Sequence, residues 1–303
     1  MANTFNLDIN NLAQTAAKLV GMDFNLAGLI SRDVEADFAP GRGSTVRVAV
    51  PAAIPTRTKG IYDRTTPLVA DDLNEQFIEV ELKDHLYNVA VLSAGDFSLD
   101  ITDFGRQVLL PQTRAIAAKV EALTAATMSA TPETTSIPYA AATPAKAFTA
   151  ARRVLRANGV PGDSILRAAV GSSVYADLLD APVGQGFDAD GKVRGFEVVE
   201  STRLADSDIV AFVPEAFTLV ARAPMVPAGA AHGASTVTPV LDNERGAQFA
   251  VTAVVDYDST VAADRSLVST FAAVQAMPLP VDNEDGTVTL LAHGGAVRID
   301  TAA

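Results

Sequence analysis

Two runs of strict alternation bracket a long break, and together they constrain the chain more than any other feature. Between Gly43 and Pro51, Val46, Val48 and Val50 fall on one side, with Thr45, Arg47 and Ala49 on the other. A period of two is the signature of a half-buried strand. Residues 51–60 (Pro51-Ala52-Ala53-Ile54-Pro55-Thr56-Arg57-Thr58-Lys59-Gly60) are polar and bounded by prolines, which reads as a loop. Alternation resumes with Ile78, Val80 and Leu82 against Glu79, Glu81 and Lys83. Its phase flips at Asp84-His85, and Tyr87, Val89 and Val91 then carry the apolar side. A bulge or a strong twist produces such a flip. The expectation is two long strands joined by a long excursion, each polar on one face, forming an arm that projects instead of a buried sheet.

The rest of the chain supplies a core for that arm to project from. Of 303 residues, 49% are apolar and 19% charged, enough to bury a core and too apolar for disorder. A short N-terminal helix is expected from Asp8 to Val20, with Leu12, Ala16 and Val20 on one side. Asp100 or Thr102 can cap a helical piece carrying Phe104, Val108 and Leu109, which Pro111 breaks or kinks. The main helix is expected from Gln112 to Met128, with Ile116, Val120 and Leu123 at helical spacing. Such a rod measures about 25 Å. Past a Pro/Thr-rich connector at 131–144, helices and strands alternate. A helix at Lys146–Ala157 is ended by Asn158-Gly159; a strand at Ile165–Val170 precedes a short helix at Ser172–Leu179 capped by Ser172 or Ser173. Further strands follow at Phe196–Val199, Ile209–Phe212 and Phe217–Ala221. The last part is β again. Val237–Leu241 and Ala247–Tyr257 flank the turn at 242–246, Ser266–Met277 is extended, and Thr287–Leu291 is expected to pair with Ala296–Ile299 through His293-Gly294-Gly295. The class is α+β.

Composition excludes several functions. With no cysteine, disulfides, thiolate metal sites and Cys nucleophiles are ruled out. A net charge of −13 opposes any large nucleic-acid-binding surface, which needs cations in excess. No apolar run approaches the roughly 18 residues of a membrane span, and Met1-Ala2-Asn3-Thr4-Phe5-Asn6 lacks the basic and apolar regions of a signal peptide; a soluble protein made in a cytoplasm is expected. Aromatics are 6% and Trp is absent, so tight association would need broad area instead of aromatic anchors.

Candidate chemistry is sparse. His85, His232 and His293 are far apart and lack HExxH, HxH or a carboxylate cluster at metal spacing. Gly171-Ser172-Ser173 sits at a strand-to-helix junction, where a nucleophile could stand, but helix capping explains it and no GxSxG is present. Gly184-Gln185-Gly186 lacks the continuation of a phosphate loop, and Asp188-Ala189-Asp190-Gly191 lacks the later ligands of a calcium loop. Asp282-Asn283-Glu284-Asp285-Gly286 reads as a β-turn. No catalytic, metal or cofactor residue is assigned.

The order arm, β excursion, long helix, α/β layer and returning strands resembles the Hong Kong 97-type fold of tailed-phage major capsid proteins. Several stretches resemble its podophage-coat-like branch: Leu109-Leu110-Pro111-Gln112-Thr113-Arg114-Ala115-Ile116-Ala117, Leu155-Arg156-Ala157-Asn158-Gly159-Val160-Pro161, Gly191-Lys192-Val193-Arg194-Gly195-Phe196-Glu197-Val198 and Ala216-Phe217-Thr218-Leu219-Val220-Ala221-Arg222-Ala223-Pro224. The resemblance spans about residues 15 to 277. It implies an N-terminal arm at 1–42, an extended loop at 43–92 lying over an adjacent subunit, a peripheral domain with a spine helix at 93–140, and an axial domain at 141–239. Return strands at 240–277 and a tail hairpin at 278–303 complete the division. It implies a non-enzymatic shell protein without cofactors, arranged in pentamers and hexamers around double-stranded DNA that it does not read, and assembled in a host bacterial cytoplasm into virions. Expected partners are a separate scaffolding protein, a portal and a decoration protein. Lys59, in the excursion, could ion-pair with a neighbour or, as in a minority of capsids, form an isopeptide link. An encapsulin-type compartment shares the fold and is the alternative; a hydrolase using Ser172 or Ser173 is a third reading.

Overall fold

The computed structural model describes residues 9–35, 44–50, 56–68, 70, 76–93, 104–182, 184–230, 232–237, 249–260, 263–283 and 287–302. In chain order the elements are α1 (Ile9–Met22), β1 (Ser31–Glu35), β2 (Thr45–Val50), β3 (Gln76–Glu81), β4 (His85–Ser93), α2 (Leu110–Ser129), α3 (Ala145–Ala157), β5 (Leu166–Val170) and α4 (Ser172–Asp180). They continue with β6 (Phe196–Glu200), β7 (Asp208–Phe212), β8 (Phe217–Arg222), β9 (His232–Val237), β10 (Ala250–Asp258), β11 (Ala263–Ala276), β12 (Leu279–Asp282), β13 (Val288–Leu291) and β14 (Ala296–Asp300).

The largest sheet is built around β11. Its first half pairs antiparallel with β10 on one side and β4 on the other, and its second half pairs with β8. β9 extends the sheet beyond β10, and β1 runs parallel to β8. Alternation sorts the two faces. Val268, Ala272, Leu219 and Ala221 belong to the main core with residues of α1 and α2, whereas Val220, Phe271 and Ala273 belong to a separate cluster on the opposite side.

That second cluster is where the arm is rooted. β2 and β3 form an antiparallel ribbon of their own, Val46 opposite Val80 and Val48 opposite Ile78. These side chains, with Leu82, pack on Val220, Phe271, Ala273 and Met277. The phase flip at Asp84-His85 has a different cause from the bulge expected. It marks the change of sheet: the chain leaves the ribbon after Glu81 and re-enters the large sheet at His85, opposite Phe271. The residues from 85 on therefore do not belong to the two-stranded arm.

At Pro111, where a break or a kink was expected, no break occurs. Residues Gly105–Leu109 form a π-helical turn that runs directly into α2, with the Leu110 N–H bonding the Gly105 carbonyl. Proline has no N–H to give and its ring crowds the carbonyl four residues back; widening the preceding turn relieves that conflict without interrupting the rod. Asp100 and Thr102 lie outside the described residues. The buried stripe of α2 repeats every four residues, from Gln112 and Thr113 through Ile116, Ala117, Val120, Glu121, Thr124, Ala125 and Met128.

The second layer is a four-stranded sheet in the order β14-β7-β5-β6. β5 and β6 are parallel, joined through α4, and β7 returns antiparallel. Phe148 of α3 meets Phe196 of β6 edge-on at 5.9 Å, and Phe212 meets Phe217 at 5.4 Å, linking this sheet to the large one. Each of these buried rings contributes about 1.5–3 kcal/mol relative to exposure. α3 ends as expected, with Asn158 as its last cap and Gly159 at φ 97°.

The tail is corrected most. Residues 288–291 do not pair with 296–300. β13 pairs with β12, and β14 crosses over to form an edge of the four-stranded sheet against β7. The cause is burial: Ala296, Val297 and Ile299 are buried, which a solvent-facing hairpin could not provide, whereas β13 is mostly exposed. Of the hairpin expected at Val237–Leu241 and Ala247–Tyr257, residues 238–248 lie outside the described residues; what is seen is β9, from His232 to Val237, paired antiparallel with β10.

Candidate assembly surfaces

The side chains singled out for chemistry are not assembled into a site. His85 stands exposed at the start of β4, its ring 5.0 Å from Phe271 and 5.6 Å from Tyr87. His232 begins β9, and His293 sits at φ 55° in the turn before β14. Among the described residues no group of three or more His, Asp or Glu is placed to hold a metal ion. Ser172 and Ser173 open α4, but neither caps it. Gly171 is the N-cap in extended conformation, because a Cβ there would meet the Ala205 carbonyl oxygen at 2.1 Å. Asp188 closes its own loop, with its N–H bonded to the Lys192 carbonyl at 2.7 Å and its carboxylate accepting the Arg194 N–H at 3.2 Å. Of the turn at 282–286, residues 284–286 lie outside the described residues; Asn283 bonds Thr287 and Thr289 across it.

What the fold does build is a rigid body with exposed apolar extensions. The rigidity has identifiable polar clips. Glu121, buried on the spine, accepts the N–H groups of Asn25, Leu26 and Ala27 at 2.8, 3.0 and 2.9 Å, pinning the turn after α1. Gln112 binds the Ser266 carbonyl at 2.8 Å and accepts the Ser266 hydroxyl at 3.0 Å, fastening the spine to β11. Arg298 of β14 reaches buried Asp208 of β7 at 2.9 and 3.2 Å, and that bond, ahead of the opposing effect of burial, holds the guanidinium above its usual pKa. The Arg298 carbonyl also accepts the Thr134 N–H, tying the connector after α2 to the same strand. Sequence reasoning missed Glu121 and Arg298. The signal for Glu121 was present: an acid in step with Ile116, Ala117 and Val120 on an otherwise apolar stripe.

The extensions are ordered without burying their apolar tips. Past β2, the segment around Gly60–Thr66 folds on itself. The Asp63 carboxylate accepts the Thr65 N–H and hydroxyl, both at 2.8 Å, and the Thr66 N–H at 3.2 Å, while the Lys59 ammonium binds the Thr66 carbonyl. Hydrogen bonds from the Thr66 hydroxyl and from the Thr65 N–H and hydroxyl hold Asp63 well below the usual carboxylate range. Yet Ile61, Tyr62 and Leu68 stand 95, 93 and 89% exposed. On the body, Tyr87, Val89 and Val91 form an apolar row along the outer side of edge strand β4. Contiguous exposed apolar rows and uncharged edge strands are features that soluble monomers avoid and interfaces use.

No protein-family model matches the chain, and no curated protein matches it in sequence. Solved structures do match in shape. The capsid of cyanophage P-SCSP1u superposes with a TM-score of 0.54 at 12% identity, over 90% of this chain and 86% of the other. The mature capsid of bacteriophage PhiM1 gives 0.52 at 11% identity, over 91% and 87%. The virus-like particle from Pyrococcus furiosus gives 0.50 at 11% identity, over 96% and 98%. The chain has the Hong Kong 97-type capsid fold. The fold was expected from the order of elements, and the three structures match it over 90, 96 and 91% of the chain.

Proposed function

We propose that this chain is a major capsid protein that self-assembles into the icosahedral shell enclosing the double-stranded DNA of a tailed bacteriophage, and that it is not an enzyme. The observation that carries the reading is the excursion on the capsid fold. Its stem is anchored on the body, its turn is internally hydrogen-bonded, and Ile61, Tyr62 and Leu68 are left uncovered by the described residues. A shell subunit needs many modest contacts with identical copies, weak enough singly to correct errors and strong together. An ordered tip with three exposed apolar residues suits such a contact. In this reading the excursion overlies an adjacent subunit, residues 93–140 and 240–277 form the peripheral domain together with β8 and β9, which pair into the large sheet, and the rest of residues 141–239 forms the axial domain, which β14 joins. Scaffolding, portal and decoration proteins are its proposed partners, pentamers and hexamers its arrangement, and the virion, assembled in the host cytoplasm, its location.

The test is removal of residues 51–67. The shortened chain is expected to keep its fold by circular dichroism while electron micrographs show no closed shells. Normal particles from it would contradict the reading. The size and contents of wild-type particles separate a DNA-filled viral shell from an encapsulin-type compartment, and full assembly by a Ser172→Ala, Ser173→Ala double variant is expected on this reading and would leave a hydrolase reading without support.

A further inference from the structure

Two arginines from different sheets come together where the sheets meet. Arg32 lies on β1, at the edge of the large sheet, and stands opposite Leu219 of β8. Register partners share a face, and Leu219 belongs to the main core, so Arg32 is turned inward at the rim and only partly exposed. Its Nη1 is buried and has no hydrogen-bond partner. Among the described residues no carboxylate forms an ion pair with it. Arg167, on β5 of the four-stranded sheet, is its charged neighbour. The Nη1 of Arg167 donates to the Leu29 carbonyl, three residues before Arg32, and its Nε lies 3.3 Å from the Glu197 carboxylate on β6. Its Nη2 has no acceptor among the described residues.

Elsewhere the fold provides for its buried charges, Glu121 with three N–H groups and Asp208 with Arg298. Arg32 is treated differently. Burial first, and the Arg167 charge second, lower its pKa, yet an arginine does not escape by giving up its proton. Like charges repel more strongly in a partly desolvated site than in water, and a covered donor without an acceptor adds to the cost. An anion would relieve both. Two guanidinium groups with unused donors select an oxyanion, because each planar fork offers N–H groups that match its edge, and two positive charges favour a doubly charged one. The covered position of the Arg32 Nη1 favours a small ion over a macromolecule. The chain as a whole is at −13, so the pair is not part of a general basic surface.

We infer that Arg32 and Arg167 form a binding site for a small oxyanion of the inorganic phosphate class, at the junction of the large sheet and the four-stranded sheet. The ion accepts from Arg32 and from the Nη2 of Arg167, while Glu197 keeps the Nε of Arg167. Bound there it ties β1 to β5, a polar clip between the two layers. Every group of the site belongs to one chain, so the single subunit binds the ion, and the inference stands apart from the shell reading.

Isothermal titration calorimetry of the full-length chain with inorganic phosphate, near neutral pH and against sodium chloride at the same ionic strength, tests this. Saturable binding is expected with phosphate and none with chloride, and phosphate is expected to raise the thermal unfolding midpoint. Arg32→Met removes the unpartnered guanidinium and keeps an unbranched chain. It is expected to melt no lower than wild type in phosphate-free buffer, because an unpaired charge has left a partly buried position, and to bind phosphate at least about tenfold more weakly. A merely structural Arg32 would show the opposite, a lower melt and unchanged binding. Arg153→Gln, exposed on α3, is expected to bind as wild type does. Absence of phosphate binding by the wild-type chain would overturn the inference. Undiminished binding by Arg32→Met would overturn it too, placing the ion elsewhere. Acetate bound as tightly as phosphate would also overturn it, in favour of a carboxylate side chain as the group the arginines receive.

Discussion

A carboxylate that accepts three backbone N–H groups does the work of a helix cap for a segment that is not a helix. Glu121 holds the turn at 25–27 this way, and it forms no ion pair among the described residues, so its contribution is hydrogen bonding to a charged acceptor within a largely apolar stripe. Glu121→Gln places an amide NH2 where a donor is already present. The expected cost is about 1.5–3 kcal/mol in subunit stability by urea unfolding, with no change in particle geometry once folded. Arg298 and Asp208 differ in kind, because the aspartate is buried while the arginine keeps part of its side chain in solvent. Removing the arginine strands a buried charge, whereas Asp208→Asn removes it. Arg298→Ala is therefore expected to destabilise by about 2–3 kcal/mol and Asp208→Asn by less, an order that thermal unfolding of the two variants would reveal.

At the scale of elements, the excursion turn is controlled by one titrating group. The Asp63 pKa is depressed by hydrogen bonds that only the ionised form accepts fully, so its stabilisation is present above the unfolded value, near 4, and is lost as pH falls through the lower folded value. The turn is thus expected to survive at about pH 4, where free aspartates are half protonated, and to loosen only well below it. The Asp63 carboxyl carbon and the Thr65 and Thr66 amide resonances, followed by NMR, report this directly; a midpoint in the ordinary range would contradict it. The strands flanking this turn were plain in the sequence, since period-two alternation is a local property. The partner of each strand was not. Nothing in residues 85–93 says that they leave the ribbon for β11, because pairing is decided by which buried surface the strand completes. Pro111 shows the same limit in a helix: the missing N–H was legible, but the choice between a break and a widened turn depends on the sheet that the spine must span.

At the scale of the whole molecule, order of elements carried more information than any single motif. The fold could be named from the succession of arm, excursion, spine and α/β layer. The surfaces proposed to make it a shell could not, because exposure of Ile61 or of the Tyr87, Val89 and Val91 row is a statement about what remains uncovered after everything else has packed. The last strand has a consequence of another sort. β14 is an edge of the four-stranded sheet, buried against β7 and clipped to it by Arg298, so that sheet lacks one of its four strands until residue 300 has been made. A growing chain can form α1 and α2 early, yet both sheets wait for late residues, because β11, around which the large sheet is built, runs from Ala263 to Ala276 and β14 from Ala296 to Asp300. Chain growth therefore completes neither layer piecemeal: a fragment that stops before residue 263 holds neither the central strand of the one nor the closing strand of the other.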